Sequence, residues 1–277
     1  MNKKELVGQI RRKRSFLCVG LDTDSAKIPH AITHDENAVF QFNKRIIDAT
    51  APYAVAYKPN TAFYENEGAS GWVNLEKTIH YIKATYPEML VIADAKRGDI
   101  GNTSGRYASA FFEQLKADAI TVAPYMGYDS VEPFLGFEDK WVILLGLTSN
   151  TGSADFQHLK LENGNTLFEE VVRKACSWAN SDQLMFVAGA TQPAMIRKIR
   201  TIAPEYFFLV PGVGAQGGNL AEVAKAGFNT EVGLLVNASR SILYASNSAD
   251  FAEAAAAEAK SLQKQMELLL IKNKLLS

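Results

Sequence analysis

Eight short apolar runs punctuate the chain, and the stretches between them switch to helical spacing. The runs are Phe16 to Leu21, Ala54 to Tyr57, Val91 to Ala93, Ala119 to Ala123, Trp141 to Leu147, Leu184 to Ala188, Phe207 to Val210 and Gly233 to Val236. They are continuous rather than alternating, the pattern of strands covered on both faces. Helical spacing predicts a helix over Asp35 to Ala49 through Val39, Phe42, Ile46 and Ile47, with Asp35 as candidate N-cap. Further helices are predicted over Ser70 to Thr85, Ser104 to Lys116, Val131 to Phe137, Leu167 to Ala179, Pro193 to Ala203 and Asn219 to Ala226. A short basic helix over residues 3 to 14 precedes the first run, and an Ala-rich helix from Ala249 to Leu275 closes the chain.

Polar residues recur where the runs stop: Asp22, Lys58, Asp94, Ser149 and Arg240. Strands alternating with helices predict an α/β fold, and this recurrence favours a closed (β/α)8 barrel, whose strand ends converge on one mouth. We therefore expect a single catalytic domain over residues 1–277, with an extra N-terminal helix and a long C-terminal one. A doubly wound parallel sheet is the alternative.

Length alone leaves open one barrel or two ordinary domains, since 277 residues suit both. A hydrophobic fraction of 47% and a charged fraction of 21% are those of a globular protein with a sizeable core. Lys and Arg number 29 against 30 Asp and Glu, so no field attracts a polyanion, and nucleic acid is not an expected partner. The basic stretch Arg11 to Arg14 is followed only by Phe16 to Leu21, too brief for a signal-peptide core or a membrane span, so a cytoplasmic enzyme is expected. Cys18 and Cys176 make neither a disulfide framework nor metal-ligand spacing and are expected in the core or on a helix face.

Candidate chemistry concentrates in Asp94-Ala95-Lys96-Arg97-Gly98-Asp99. Alternation along the strand puts Asp94 and Lys96 on one face; Gly98 breaks the strand, and Asp99 falls in the loop. An acid, a base and a second acid at a strand end need partners or a ligand; a surface ion pair is the bland alternative. A second candidate is the loop from Pro211 to Gly218, where Gly212, Gly214 and Gly217 fit G-x-G-x-x-G and Glu231 lies near the place of a ribose-binding acid. Dinucleotide fingerprints follow the first strand of their unit, whereas this loop follows the seventh run. In a barrel the loops after strands seven and eight are the usual phosphate site. Arg240 can clamp the same phosphate and Gln216 can donate to it from the loop, so a phosphate monoester is the expected ligand.

The stretch Asp94-Ala95-Lys96-Arg97-Gly98-Asp99-Ile100 resembles the D-x-K-x-x-D signature of the orotidine 5'-phosphate decarboxylase family, and the continuation Gly101-Asn102-Thr103 looks like its longer-chain bacterial branch. Asp22, Lys58, the Pro211 to Gly218 loop and Arg240 fall where that family's pattern places them. Added length relative to shorter members lies in Ser25 to Asn43, Asp155 to Asn165 and the C-terminal helix. The resemblance implies a TIM barrel that converts orotidine 5'-phosphate to uridine 5'-phosphate and CO2, the last step of de novo UMP synthesis, with no cofactor or metal. It implies catalytic roles for Lys96, Asp94, Asp99 and Lys58, with the Lys96 ammonium protonating a carbanion at ring C6. Asp22 is implied at the ribose and Ser149 at the pyrimidine; Pro211, Gly212, Gln216, Asn237, Ser239 and Arg240 complete the expected substrate contacts. A homodimer is implied, in which Asp99, Ile100 and Thr103 reach the partner's site.

Two rivals stay open at this point. 3-Hexulose-6-phosphate synthase shares the D-x-K-x-x-D strand but uses Mg²⁺, and its second strand is expected to offer an acidic ligand; here that position is Lys58, which repels a divalent ion. The other is a nucleotide-phosphate-binding protein that keeps the barrel without the chemistry.

Overall fold

Eight parallel strands pair in chain order, and the last closes onto the first. They are β1 (Leu17–Gly20), β2 (Ala56–Lys58), β3 (Leu90–Arg97), β4 (Ala119–Val122), β5 (Trp141–Leu147), β6 (Leu184–Ala188), β7 (Phe207–Pro211) and β8 (Leu234–Ala238). The expected α/β barrel is therefore the architecture found, and the doubly wound sheet is excluded by closure. This computed structural model describes residues 1–33, 35, 37–190, 193–212 and 218–276.

The continuous apolar runs become strands because each has a barrel interior on one side and helices on the other. Every residue of β1, β4, β6 and β8 is buried, and Trp141 of β5, Phe186 of β6 and Phe207 and Phe208 of β7 are fully so. Burial of one such side chain contributes about 1.5–3 kcal/mol. Short strands suffice, since ladder bonds on both sides leave no exposed edge.

The outer helices are α1 (Lys3–Lys13), α2 (Ala38–Thr50), α3 (Thr61–Glu65), α4 (Gly68–Thr85), α5 (Gly101–Ser109), α6 (Tyr128–Leu135), α7 (Leu167–Ala175), α8 (Pro193–Ile202), α9 (Leu220–Gly227), α10 (Arg240–Leu243) and α11 (Phe251–Lys272). Helix α1 starts on a reciprocal capping box between Asn2 and Glu5. Lys13 in its last turn donates to the carbonyls of Ala51 (2.8 Å) and Ala54 (3.0 Å) just past α2, and burial lowers its pKa to about 8. The closing helix α11 lies on the outside of the barrel, as its apolar stripe implies: Met266 and Leu270 are buried, and Phe251 stacks on Phe42 of α2 at 5.1 Å. Among the described residues, no helix is long and apolar enough to cross a membrane.

Several local expectations differ. Asp35 is not the cap of α2; the helix starts at Ala38 behind Asn37, which takes a left-handed conformation, while Asp35 pairs with Arg45 at 3.6 Å. The helix expected over Ser104 to Lys116 splits into α5 and a π-helical turn, Ala110–Gln114. Helix α7 ends at Ala175, well before Ala179, and the four- and five-residue helices α10 and α3 have no counterpart in the hydrophobic pattern.

Candidate active site

The barrel mouth is shaped by an irregularity in β3. Ala93 pairs with Ile120 and Arg97 with Val122, so Asp94, Ala95 and Lys96 stand opposite Thr121 alone. Such a bulge re-aims side chains. Asp94 and Lys96 do reach one cavity, as alternation predicts, but not along a regular pleat: Lys96 has φ +47°, the left-handed region. A non-glycine residue there costs of order 1 kcal/mol, and of the described non-glycine residues with positive φ Lys96 is the one that lines the cavity.

The charges form a chain around the rim. Lys96 Nζ donates to Asp94 Oδ1 at 2.6 Å, and Lys58 Nζ, arriving from β2, donates to Asp94 Oδ2 at 2.8 Å. Lys58 also lies 3.5 Å from Asp22 Oδ1 past β1, and Asp22 Oδ2 accepts the Ser239 hydroxyl at 2.8 Å. Asn237 Nδ2 in β8 donates to Ser239 Oγ at 3.2 Å. Side-chain exposure grades along this chain from 4% at Lys58 through 11% at Asp94 to 51% at Lys96. Lys58 is thus the buried cation that holds Asp94, and Lys96 the one presented to the cavity.

Burial alone would raise the Asp94 pKa, but the charges and hydrogen bonds of Lys58 and Lys96 outweigh it and hold the carboxyl well below the usual range. Burial likewise opposes charge on Lys58, and the attraction of Asp22 and Asp94 overcomes it, so its pKa lies above the ordinary lysine value. The stability from Asp94 is fully present above its unfolded pKa of about 4 and is lost as pH falls toward its folded value; that from Lys58 is full below about pH 10. The ion chain should therefore be constant from about pH 5 to 9. Urea midpoints should fall between pH 5 and pH 3, and less steeply in Asp94→Asn; equal slopes would remove Asp94 from that account.

Gly20 closes β1 where this chain passes. A methyl group there would sit 1.8 Å from Ser239 Oγ, so only glycine lets Ser239 reach Asp22. Gly20→Ala should destabilise the fold by about 1–3 kcal/mol in urea denaturation through overpacking. An unchanged midpoint would show that Ser239 moves aside freely.

The mouth encloses a cavity of about 310 Å³. Asp22, Lys58, Asp94, Lys96, Ser149, Pro211, Gly212, Asn237, Ser239 and Arg240, all singled out from the sequence, line it. Its other half is apolar, built from Leu145 of β5, Val187 of β6 and Leu209 of β7. Arg240 opens α10 directly after β8 and is exposed; among the described residues it pairs with no carboxylate. Asp99, Ile100 and Thr103 do not line the cavity: Asp99 is half-buried, Thr103 exposed, and Ile100 56% exposed. The Asp99 carboxylate turns back to accept the Ile100 amide at 2.8 Å. Gln216, with Gly214 and Gly217, lies outside the described residues.

A family model described as "Orotidine 5'-phosphate decarboxylase / HUMPS family" matches residues 15–255. The chain belongs to this family. Orotidine 5'-phosphate decarboxylase of Phocaeicola vulgatus is 58% identical over 270 residues, 98% of this chain and 99% of that protein. That of Bacteroides fragilis (strain YCH46) is 58% identical over 266 residues, 96% of this chain and 97% of its own. Among solved structures, Leishmania donovani OMP decarboxylase superposes with a TM-score of 0.82 at 38% identity, covering 97% of this chain and 98% of the other.

Within the orotidine 5'-phosphate decarboxylase / HUMPS family frame, the sequence reading missed Thr121 and the apolar half of the cavity. Thr121 is the one polar residue of β4, Ala-Ile-Thr-Val, and that contrast is the signal it carries. Leu145, Val187 and Leu209 carry none, because an apolar cavity wall and an apolar core share one composition.

Proposed function

We infer that the chain decarboxylates orotidine 5'-phosphate to uridine 5'-phosphate, the closing step of UMP synthesis, and that Lys96 is its proton donor. The observation that carries this reading is the Lys58–Asp94–Lys96 array at the mouth of a half-apolar cavity, with Arg240, exposed and without a carboxylate partner among the described residues, at its rim. Heterolysis of the bond from ring C6 to the carboxylate releases CO2 and leaves the electron pair on C6; a proton from Lys96 Nζ fills that valence, and solvent reprotonates the amine. The Lys96 ammonium offsets the negative charge as it develops and is already held in place, so little reorganisation is needed. Asp94 stands near the leaving carboxylate, and their repulsion is relieved as CO2 departs.

Lys58 holds Asp94 and, with Asp22, binds the ribose hydroxyls. Ser149 contacts the pyrimidine; Asn237, Ser239, Pro211 and Gly212 complete the contacts, and Arg240 with Gln216 takes the phosphate. Binding energy from that remote phosphate offsets the cost of assembling a crowded charged site. Arg240→Ala should raise KM by about 10–100-fold with a smaller change in kcat, as expected for loss of a charge-assisted contact. An unchanged KM would take Arg240 out of the phosphate site.

The chain acts as a homodimer in this reading, with Asp99, Ile100 and Thr103 entering the partner's cavity. Support comes from their position outside their own cavity and from exposed apolar groups on the loops after β3, β4 and β5: Ile100 (56%), and Tyr125 (86%) with its ring 6.3 Å from that of Phe156 (59%). Exposed apolar groups gathered in this way mark an interaction surface. Cytoplasmic placement belongs to the same reading, since a charged nucleotide monophosphate stays in the compartment where it is made.

The test is a spectrophotometric assay on orotidine 5'-phosphate with and without EDTA. Turnover indifferent to EDTA supports the decarboxylase. Abolition by EDTA would point to the metal-dependent synthase, and uridine 5'-phosphate binding without turnover to a non-catalytic binding protein.

A further inference from the structure

The bulge in β3 sets two requirements that its own strand does not meet. Asp94 and Lys96 must face one cavity although their flanks, Ala93 and Arg97, pair out of step with β4. Lys96 must also keep φ +47°, which a residue with a Cβ holds only when its surroundings over-determine it. One hydroxyl on the facing strand serves both. Thr121 Oγ1 accepts the Lys96 amide N–H at 2.9 Å and donates to Asp94 Oδ1 at 3.0 Å.

The direction of these bonds is dictated by their partners. An amide nitrogen only donates and an ionised carboxylate only accepts, so the single hydroxyl proton points at Asp94 and a lone pair faces Lys96. Thr121 is 1% exposed, and the other residues of β4, Ala119, Ile120 and Val122, are fully buried and apolar. A hydroxyl in such surroundings is costly unless bonded, and both of its partners belong to the proposed catalytic pair. Asp94 Oδ1 thereby receives Lys96 Nζ and Thr121 together while Oδ2 receives Lys58, so the carboxylate is oriented from three strands.

We propose that Thr121 is a positioning residue for the decarboxylation, holding the Lys96 backbone and the Asp94 carboxylate in the one arrangement that presents Lys96 Nζ to the cavity. The proposal rests on the reading of Lys96 as proton donor. Thr121 acts through those two residues, and its effect therefore falls on turnover more than on affinity. Removing one partner of a bond to a charged group should lower kcat by about 10–100-fold.

The experiment compares wild type with Thr121→Val, which keeps the shape and removes the hydroxyl, and Thr121→Ser, which keeps the hydroxyl. For each, kcat and KM on orotidine 5'-phosphate and affinity for uridine 5'-phosphate are measured, and the T121V crystal structure is determined. A kcat loss in T121V with KM and uridine 5'-phosphate affinity within about threefold of wild type, largely restored in T121S, supports the proposal. The T121V structure should then show Lys96 outside the left-handed region or Asp94 rotated away from Lys96. Wild-type kcat in T121V, a loss that T121S shares, or an unchanged Lys96 φ and Asp94 contact overturns it. A wild-type chain without turnover would instead overturn the decarboxylase reading, and the crystal structure would still decide whether Thr121 positions Lys96.

Discussion

Lys96→Ala should lower kcat by about four to seven orders of magnitude while uridine 5'-phosphate affinity changes by less than about tenfold. The size follows from two losses at once. A positioned general acid contributes about 10²–10⁴, and a preorganised charge facing the developing anion a further 10²–10³. The fold should survive, because Asp94 keeps its 2.8 Å bond to Lys58 and the Lys96 side chain is half exposed. Alanine also inherits the left-handed backbone that Lys96 occupies, which makes Lys96→Gly the matched control: it relieves the strain and should be equally inactive. Single-turnover kinetics would separate the chemical step from product release. Near-normal turnover in either variant would remove Lys96 as the proton donor.

The barrel was legible because its cause is local: a strand buried on both faces must be apolar throughout, and eight such runs leave few topologies. The charged side of the cavity was legible for the same reason. Asp22, Lys58, Asp94 and Arg240 interrupt apolar runs at their C-terminal ends, and a barrel brings those ends together. What stayed hidden depends on pairing between strands. The bulge opposite Thr121 is a matter of register, and threonine is an ordinary β-branched strand residue until its partners are known. The helices α3 and α10 are too short to display a period. The Asp35 expectation failed because a cap is defined by backbone geometry, and Asn37 in the left-handed region is where the chain enters α2.

A mixture of two inactive chains should recover activity, which is the largest effect expected of the proposed dimer. Asp99→Ala should be nearly inactive on its own, although Asp99 lines no part of its own cavity. In a two-fold dimer with shared sites, a hybrid of Asp99→Ala with Lys96→Ala contains one site with both lesions and one with neither. Random exchange makes half of the dimers hybrids, so about a quarter of all sites should be intact and activity should rise from near zero to about a quarter of wild type. The geometry motivates this arrangement: Gly98 follows the last residue of β3, Asp99 turns its carboxylate away toward the Ile100 amide, and Ile100 is exposed. Exchange can be followed by mass spectrometry of differently tagged chains while the assay runs. If hybrids form and activity stays at the level of the parents, Asp99 acts within its own subunit or not at all, and the sharing of sites fails with it.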